Sequence, residues 1–125
     1  MTQSTDLVRR IADGIIQQEG MPPEYDNPGN LRGCPWLNPS SPFARITAGF
    51  WRPGSRRIGV AGLHHIAALH IAQGNSLNDF IAGHPGVYAG FAPGADGNKP
   101  DIYVSNLMKW CGISDKNAPL WNLIL

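Results

Sequence analysis

The sequence predicts an α+β domain that is mainly α. Apolar residues recur at three- and four-residue spacings in four separate stretches. The intervals between them are punctuated by glycine, proline, asparagine and serine, with room for no more than a small strand pair. The length of 125 residues fits one domain, 1–125, and leaves no room for a second. With 42% apolar and only 15% charged residues the chain is loop-rich and globular rather than disordered, because disorder needs low hydrophobicity and high net charge.

The first helix is predicted from Asp6 to Glu19, where Leu7, Val8, Ile11, Ile15 and Ile16 form a stripe. Ser4 or Thr5 can cap its start, and Gly20 followed by Pro22 and Pro23 supplies the stop. From Met21 to Arg57 the chain reads as turns, including Asn27-Pro28-Gly29-Asn30 and Asn38-Pro39-Ser40-Ser41-Pro42. Within it, Phe43–Thr47 and Phe50-Trp51 can pair as a ribbon, with turn chemistry at Arg52-Pro53-Gly54.

A second helix is predicted over Val60–Gln73, with Leu63, Ile66, Ala67, His70 and Ile71 on one stripe and Gly74 closing it. A short third helix runs from Ser76 to Ala82, Ser76 and Asp79 having the spacing of a capping box. Residues 83–97 form another Gly/Pro loop. The last helix starts at Lys99 or Pro100 and ends at Cys111, its inner stripe being Tyr103, Leu107, Trp110 and Cys111, with Pro100 tolerated in the first turn. The tail, Ala118–Leu125, is apolar enough to dock back on the body.

Several function classes are disfavoured at this level. A net charge of +1 gives no polyanion-seeking field, so nucleic acid is not an expected partner. The start of the chain lacks the basic segment, apolar core and small-residue cleavage site of a secretory signal, and no apolar run approaches the ~18 residues that span a bilayer. The expectation is synthesis in the cytoplasm, with no membrane insertion and a separate exit route for any action outside. Neither a metal nor a cofactor is expected. His64 and His65 point about 100° apart on a helix, His70 lies five or six residues on, and with His84 they lack the i, i+4 pairing of a zinc helix. Asp96-Gly97-Asn98 opens like a calcium loop but lacks the later ligands.

Glu19 is the side chain of most chemical interest. It continues the Ile11, Ile15 stripe at i+4, so it lies on the apolar face at a helix C-terminus, where the macrodipole is negative. Poor solvation and that dipole both favour the neutral acid and raise its pKa, as a general acid in glycoside hydrolysis requires. The other reading is a solvated last-turn glutamate. Asn27 to Arg32 has the same duality, since turn chemistry alone explains it, while Asn amides on a rigid turn can also bond sugar hydroxyl or acetamido groups.

Trp36, Trp51, Tyr88 and Phe91 lie in loops, and one or two of them could offer ring faces to pyranoses. Arg45, Arg52, Arg56 and Arg57, interleaved with Phe50 and Trp51, form the one local basic patch. They make either a phosphate surface or an exposed basic loop that balances acids elsewhere. Of the two cysteines, Cys34 precedes a proline in a loop with no helix N-terminus to lower its pKa, and a bridge to Cys111 is open.

The order of motifs is more telling than any one of them. A helix ending Ile-Ile-Gln-Gln-Glu19-Gly20 is followed by Asn27-Pro28-Gly29-Asn30-Leu31-Arg32 and by Val60-Ala61-Gly62-Leu63 opening a helix. Then come Asn75-Ser76-Leu77-Asn78-Asp79-Phe80-Ile81 and Phe91-Ala92-Pro93-Gly94-Ala95-Asp96-Gly97-Asn98, ahead of Tyr103 and Gly112-Ile113. Over residues 8–113 this resembles the phage and prophage virion-associated lysozyme-like proteins, the structural-protein lytic transglycosylase group of the lysozyme-like superfamily.

The resemblance implies a small lysozyme-like domain with a rudimentary β-ribbon. It also implies cleavage of the β-1,4 bond between N-acetylmuramic acid and N-acetylglucosamine in peptidoglycan, as a muramidase or lytic transglycosylase. Glu19 would be the acid, with Asn30 and Tyr103 lining or supporting the cleft. The chain departs from the group over 33–57, where Trp36, Phe50, Trp51 and the arginines replace a shorter hairpin and no Asp or Glu occurs between Asp26 and Asp79.

A retaining mechanism needs a second carboxylate about 5 Å away and an inverting one a base at about 6.5–9.5 Å, and Glu24 and Asp26 are the near-sequence candidates. Otherwise Glu19 serves as acid and then base while the muramyl 6-hydroxyl attacks internally, or a water is held by Asn or Tyr. The implied partners are glycan strands, together with an immunity protein or a virion or secretion-system component, and the implied place of action is the cell wall after release or delivery. The rival readings are a catalytically silent glycan-binding or virion structural module and a Cys34-dependent amidase or endopeptidase.

Overall fold

The computed structural model describes residues 4–20, 26, 27, 29, 31, 32, 40–47, 50–92 and 98–124. The first helix, α1, spans Ser4–Glu19. Asp6 lies in its first turn, where the macrodipole favours a carboxylate, and takes Arg9 at 2.6 Å and Arg10 at 3.1 Å. Leu7, Ile11, Ala12 and Ile15 are buried, so the predicted stripe is the packed face. Gly20 ends the helix at φ 64° with its N–H on the Ile16 carbonyl at 3.0 Å, a left-handed conformation that a side chain would strain.

The ribbon is smaller than expected and turns elsewhere. Pro42–Ala44 forms a single 3-10 turn, closed by the Ala44 N–H on the Ser41 carbonyl, where a strand start was predicted. Strand β1 is Ile46–Thr47 and strand β2 is Phe50–Trp51, antiparallel, with Ile46 opposite Trp51 and Thr47 opposite Phe50. That register leaves only residues 48 and 49 between the strands, so Arg52-Pro53-Gly54 is not the hairpin turn but the lead into the next helix. The reason is an anchor on β2: the Trp51 N–H donates to the Leu31 carbonyl at 2.9 Å, and the Trp51 ring is 0% exposed. Trp51 is therefore a core residue, which corrects the reading that would offer its face to a sugar.

Helix α2 runs from Arg56 to Ala72, one turn earlier than predicted, after an extended Ser55 (φ −157°, ψ 130°). Its early buried positions are Gly59 and Gly62, which carry no side chain for a hydrophobic period to register. Arg56 and Arg57 are thus helical rather than part of a loop. Helix α3, Leu77–Ala82, has the predicted capping box: the Asp79 N–H donates to Ser76 Oγ at 3.0 Å and the Ser76 N–H to Asp79 Oδ2 at 3.1 Å.

Helix α4, Pro100–Cys111, buries Tyr103, Val104, Leu107 and Cys111, whereas Trp110 is only half-buried. At 100° per residue the arc facing both α1 and α3 centres between Leu107 and Cys111, which takes in Val104 and moves Trp110 to its edge. The tail docks as expected: Leu120 is buried, its N–H donates to the Asn75 carbonyl at 2.9 Å, and the Asn78 N–H donates to the Lys116 carbonyl at 2.9 Å.

The result is a mainly helical α+β architecture in which α1 packs against α4 and α2, and α3 against α4. One hydrophobic core joins residues from all four helices and β2. Among the described residues no helix is long and apolar enough to cross a membrane.

Candidate active site

Glu19 sits at the end of α1, half-buried, one helical turn beyond the fully buried Ile15. Because α1 and α4 lie side by side, Tyr103 reaches it from the far half of the chain: the phenol donates to Glu19 Oε1 at 3.1 Å, and Tyr103 is itself only 5% exposed. Beside this pair, Asn106 Nδ2 donates to Gln18 Oε1 at 2.8 Å, a second polar clasp between the same two helices.

Burial pushes the Glu19 carboxyl above its ordinary value, and the bond from Tyr103 opposes that only in part. No cation or second carboxylate among the described residues perturbs Glu19. The Tyr103 phenol is driven up strongly, first by burial and then by the Glu19 charge and the bond to it, so it acts only as a neutral donor.

The Asn27 turn is tied to the ribbon rather than offered to solvent. Asn27 is 4% exposed, its Nδ2 donates to the carbonyls of Leu31 (2.8 Å) and Trp51 (3.0 Å), and its Oδ1 accepts the Leu31 N–H at 2.9 Å. Its amide protons are used internally, so Asn27 holds the turn against β2 and is not a sugar ligand. A Cβ at Gly29 would lie 2.8 Å from Leu63 Cδ1, so the turn also lies directly on α2. Asp26 is half-buried at the head of this turn. Asn30, Trp36, Glu24 and Cys34 lie outside the described residues.

Tyr88 is placed elsewhere. It follows α3 in the 84–88 turn, closed by the bridge between His84 and Tyr88, and tilts against His70 with ring centroids 5.0 Å apart. His70 stacks on Phe80 at 4.1 Å, Phe80 meets Phe91 edge-on at 5.5 Å, and Phe91 meets Tyr103 at 6.4 Å. Glu19 and Tyr88 therefore stand at opposite ends of a column of aromatic rings.

At the Tyr88 end a pocket of about 690 Å³ is lined by Leu69, His70, Asn75, Asp79, His84 and Tyr88 among others. Burial pushes the Tyr88 phenol up to about 12. Burial also acts to raise Asp79, but hydrogen bonds from the Ser76 backbone and hydroxyl, with the His84 imidazole 3.7 Å away, hold its carboxyl below the ordinary value. Burial lowers His70 against the opposing charge of Asp79, which favours the neutral ring, and its Nδ1 accepts from Asn75 Nδ2 at 2.8 Å. Glu19 is not among the residues that line this pocket.

Searches of the chain against protein-family models, curated proteins and solved structures find no match.

Cys111 has a free thiol, buried, whose Sγ donates to the Arg10 carbonyl at 3.2 Å. Burial, with the Arg10 charge opposing and Asp13 adding, pushes it up to about 11, which leaves it unreactive near neutrality. Among the described residues no three His, Cys, Asp or Glu side chains converge as a metal group would.

Sequence reasoning did not identify Gln18, Asn106 or the inward role of Asn27. The one available signal was the four-residue spacing of Asn27 and Leu31 that closes a side-chain-to-backbone turn.

Proposed function

We propose that this chain is a lysozyme-like enzyme that cleaves the β-1,4 bond between N-acetylmuramic acid and N-acetylglucosamine in peptidoglycan, with Glu19 as the general acid. The observation that carries the reading is a half-buried glutamate with a raised pKa and, among the described residues, no neighbouring cation and a single neutral donor from another helix. Such an acid keeps its proton nearer to working pH and loses it readily once a leaving oxygen develops charge. Tyr103 occupies Oε1, so Oε2 is the oxygen that delivers the proton. After transfer the same phenol donates to the new carboxylate and holds it in place for the return step.

Glu19 is the one described carboxyl whose pKa is raised, which favours single-glutamate chemistry. Glu19 protonates the glycosidic oxygen, the C–O bond breaks, and Glu19 then takes a proton from the attacking nucleophile. If the nucleophile is the muramyl 6-hydroxyl the product is a 1,6-anhydro sugar, and if it is water the product has a reducing end.

The test is digestion of purified cell walls with mass spectrometry of the soluble products. Anhydro or reducing-end muropeptides that disappear with Glu19→Gln support the reading. Clearing at wild-type strength by Glu19→Gln, release of free stem peptides that depends on Cys34, or tight glycan binding with no products would each overturn it.

A further inference from the structure

The ribbon carries a feature that the catalytic reading does not use. Arg52 N–H donates to the Arg45 carbonyl at 2.7 Å, which extends the β1–β2 ladder by one pair and sets Arg45 directly opposite Arg52. Alternation along a strand places this pair on the same face as Phe50 and on the face opposite buried Trp51. On that same face the Arg32 guanidinium stands 4.4 Å over the Phe50 ring. Arg32, Arg45 and Arg52 are all exposed, and none of them meets a carboxylate among the described residues. Like charges directly opposed across a ribbon are unfavourable, and no Asp or Glu lies between Asp26 and Asp79 to relieve them.

We propose that this face is an anion-binding surface, in which Arg32, Arg45 and Arg52 grip successive phosphodiesters of a wall glycopolymer of the poly(glycerol phosphate) type. A planar guanidinium presents paired N–H donors that match two oxygens of one phosphate, and two such groups on the ribbon with a third, Arg32, laid over Phe50 supply the positive charge that a row of phosphates neutralises. Phe50 on this face is covered by Arg32, so among the described residues of the ribbon no ring is left bare to stack bases, which disfavours single-stranded nucleic acid. Ile46, the exposed large apolar residue among the described ribbon residues, projects on the other face with Trp51, so the described arginine face does not present the apolar side that a bilayer surface requires. The choice of a wall polymer rests on the peptidoglycan reading, whereas the anion site does not depend on Glu19.

The test is calorimetric titration of the full chain with purified poly(glycerol phosphate), compared with Arg32→Gln/Arg45→Gln/Arg52→Gln. The expected result is an affinity that falls steeply with added salt and drops at least about tenfold in the triple variant, with partial recovery in the triple Arg→Lys variant. Near-UV circular dichroism checks the fold, and the Arg45→Gln/Arg52→Gln double variant, which keeps the Arg32–Phe50 contact, serves if the triple variant does not fold. Unchanged affinity in the folded variants overturns the proposal. So does equal binding to phosphatidylglycerol vesicles, to single-stranded DNA or to neutral dextran. Glycan strands stripped of the polymer should be turned over equally by wild type and variants. Loss of that turnover would place the arginines in the catalytic cleft and overturn a separate surface, while absence of turnover in both would count against the Glu19 reading alone.

Discussion

Tyr103 donates its phenolic proton to Glu19 at 3.1 Å across a sequence separation of 84 residues, and it is the one described polar partner of the half-buried carboxyl. The bond lowers the Glu19 pKa while burial raises it, so removing it leaves burial unopposed. Tyr103→Phe should therefore move the alkaline limb of the pH–rate profile to higher pH. It should also cost roughly 0.5–1.5 kcal/mol of stability, as read from denaturant unfolding.

Glu19→Gln should abolish the wall-cleaving activity, by roughly 10²–10⁴-fold if general acid catalysis is its role. Its effect on stability has the opposite sign. A carboxyl whose folded pKa is raised stabilises the fold below its unfolded value, and that stability is lost as pH rises through the folded value. Urea unfolding should show the variant gaining on wild type as pH climbs from the unfolded value of about 4.5 towards neutrality, with no gain in more acid solution.

His70 gives a second pH dependence, opposite in direction. Burial holds its folded pKa below the ordinary 6.5, so its contribution is complete above that value and is lost as pH falls through the folded value. Unfolding curves should show wild type weakening below about pH 6.5 more than His70→Phe, which keeps a ring against Phe80 without a charge to desolvate.

Asn27→Ala should destabilise by roughly 1–3 kcal/mol, because the Leu31 N–H and the Leu31 and Trp51 carbonyls lose a buried partner. Since the lost bonds tie the turn to β2, hydrogen exchange at the Trp51 amide should accelerate in the same variant.

Arg52→Glu turns an opposed like-charge pair into an attractive one. It should raise stability by about 0.2–1 kcal/mol at low ionic strength and less at high salt, while phosphate-polymer binding is lost. A gain in stability with a loss of binding would mark the arginine pair as kept for its ligand.

The helices were legible because their signals are local. The Leu7 to Ile16 stripe, the Gly20 stop and the Ser76–Asp79 capping box each rest on spacings of no more than four residues, and all three appear as read. The first turn of α2 was missed because its buried positions are glycines. The hairpin was misplaced because Arg52-Pro53-Gly54 satisfies turn chemistry equally well, and the deciding contact, Trp51 to Leu31, is not local.

The acid illustrates the same division. The i+4 continuation of the Ile11, Ile15 stripe placed Glu19 on an apolar face at a helix end, which pointed to a raised pKa but left a solvated glutamate as the other reading, and burial in the fold decided between them. The tertiary structure decided its partner, since only the packing of α4 on α1 brings Tyr103 within hydrogen-bond reach. It also sent Trp51 into the core, carried Tyr88 to the far end of an aromatic column, and opposed Arg45 to Arg52. Helical period, capping and turn preference are properties of a few consecutive residues. Partner, burial of a loop ring and strand register depend on which distant segments pack together, and no short window of sequence contains them.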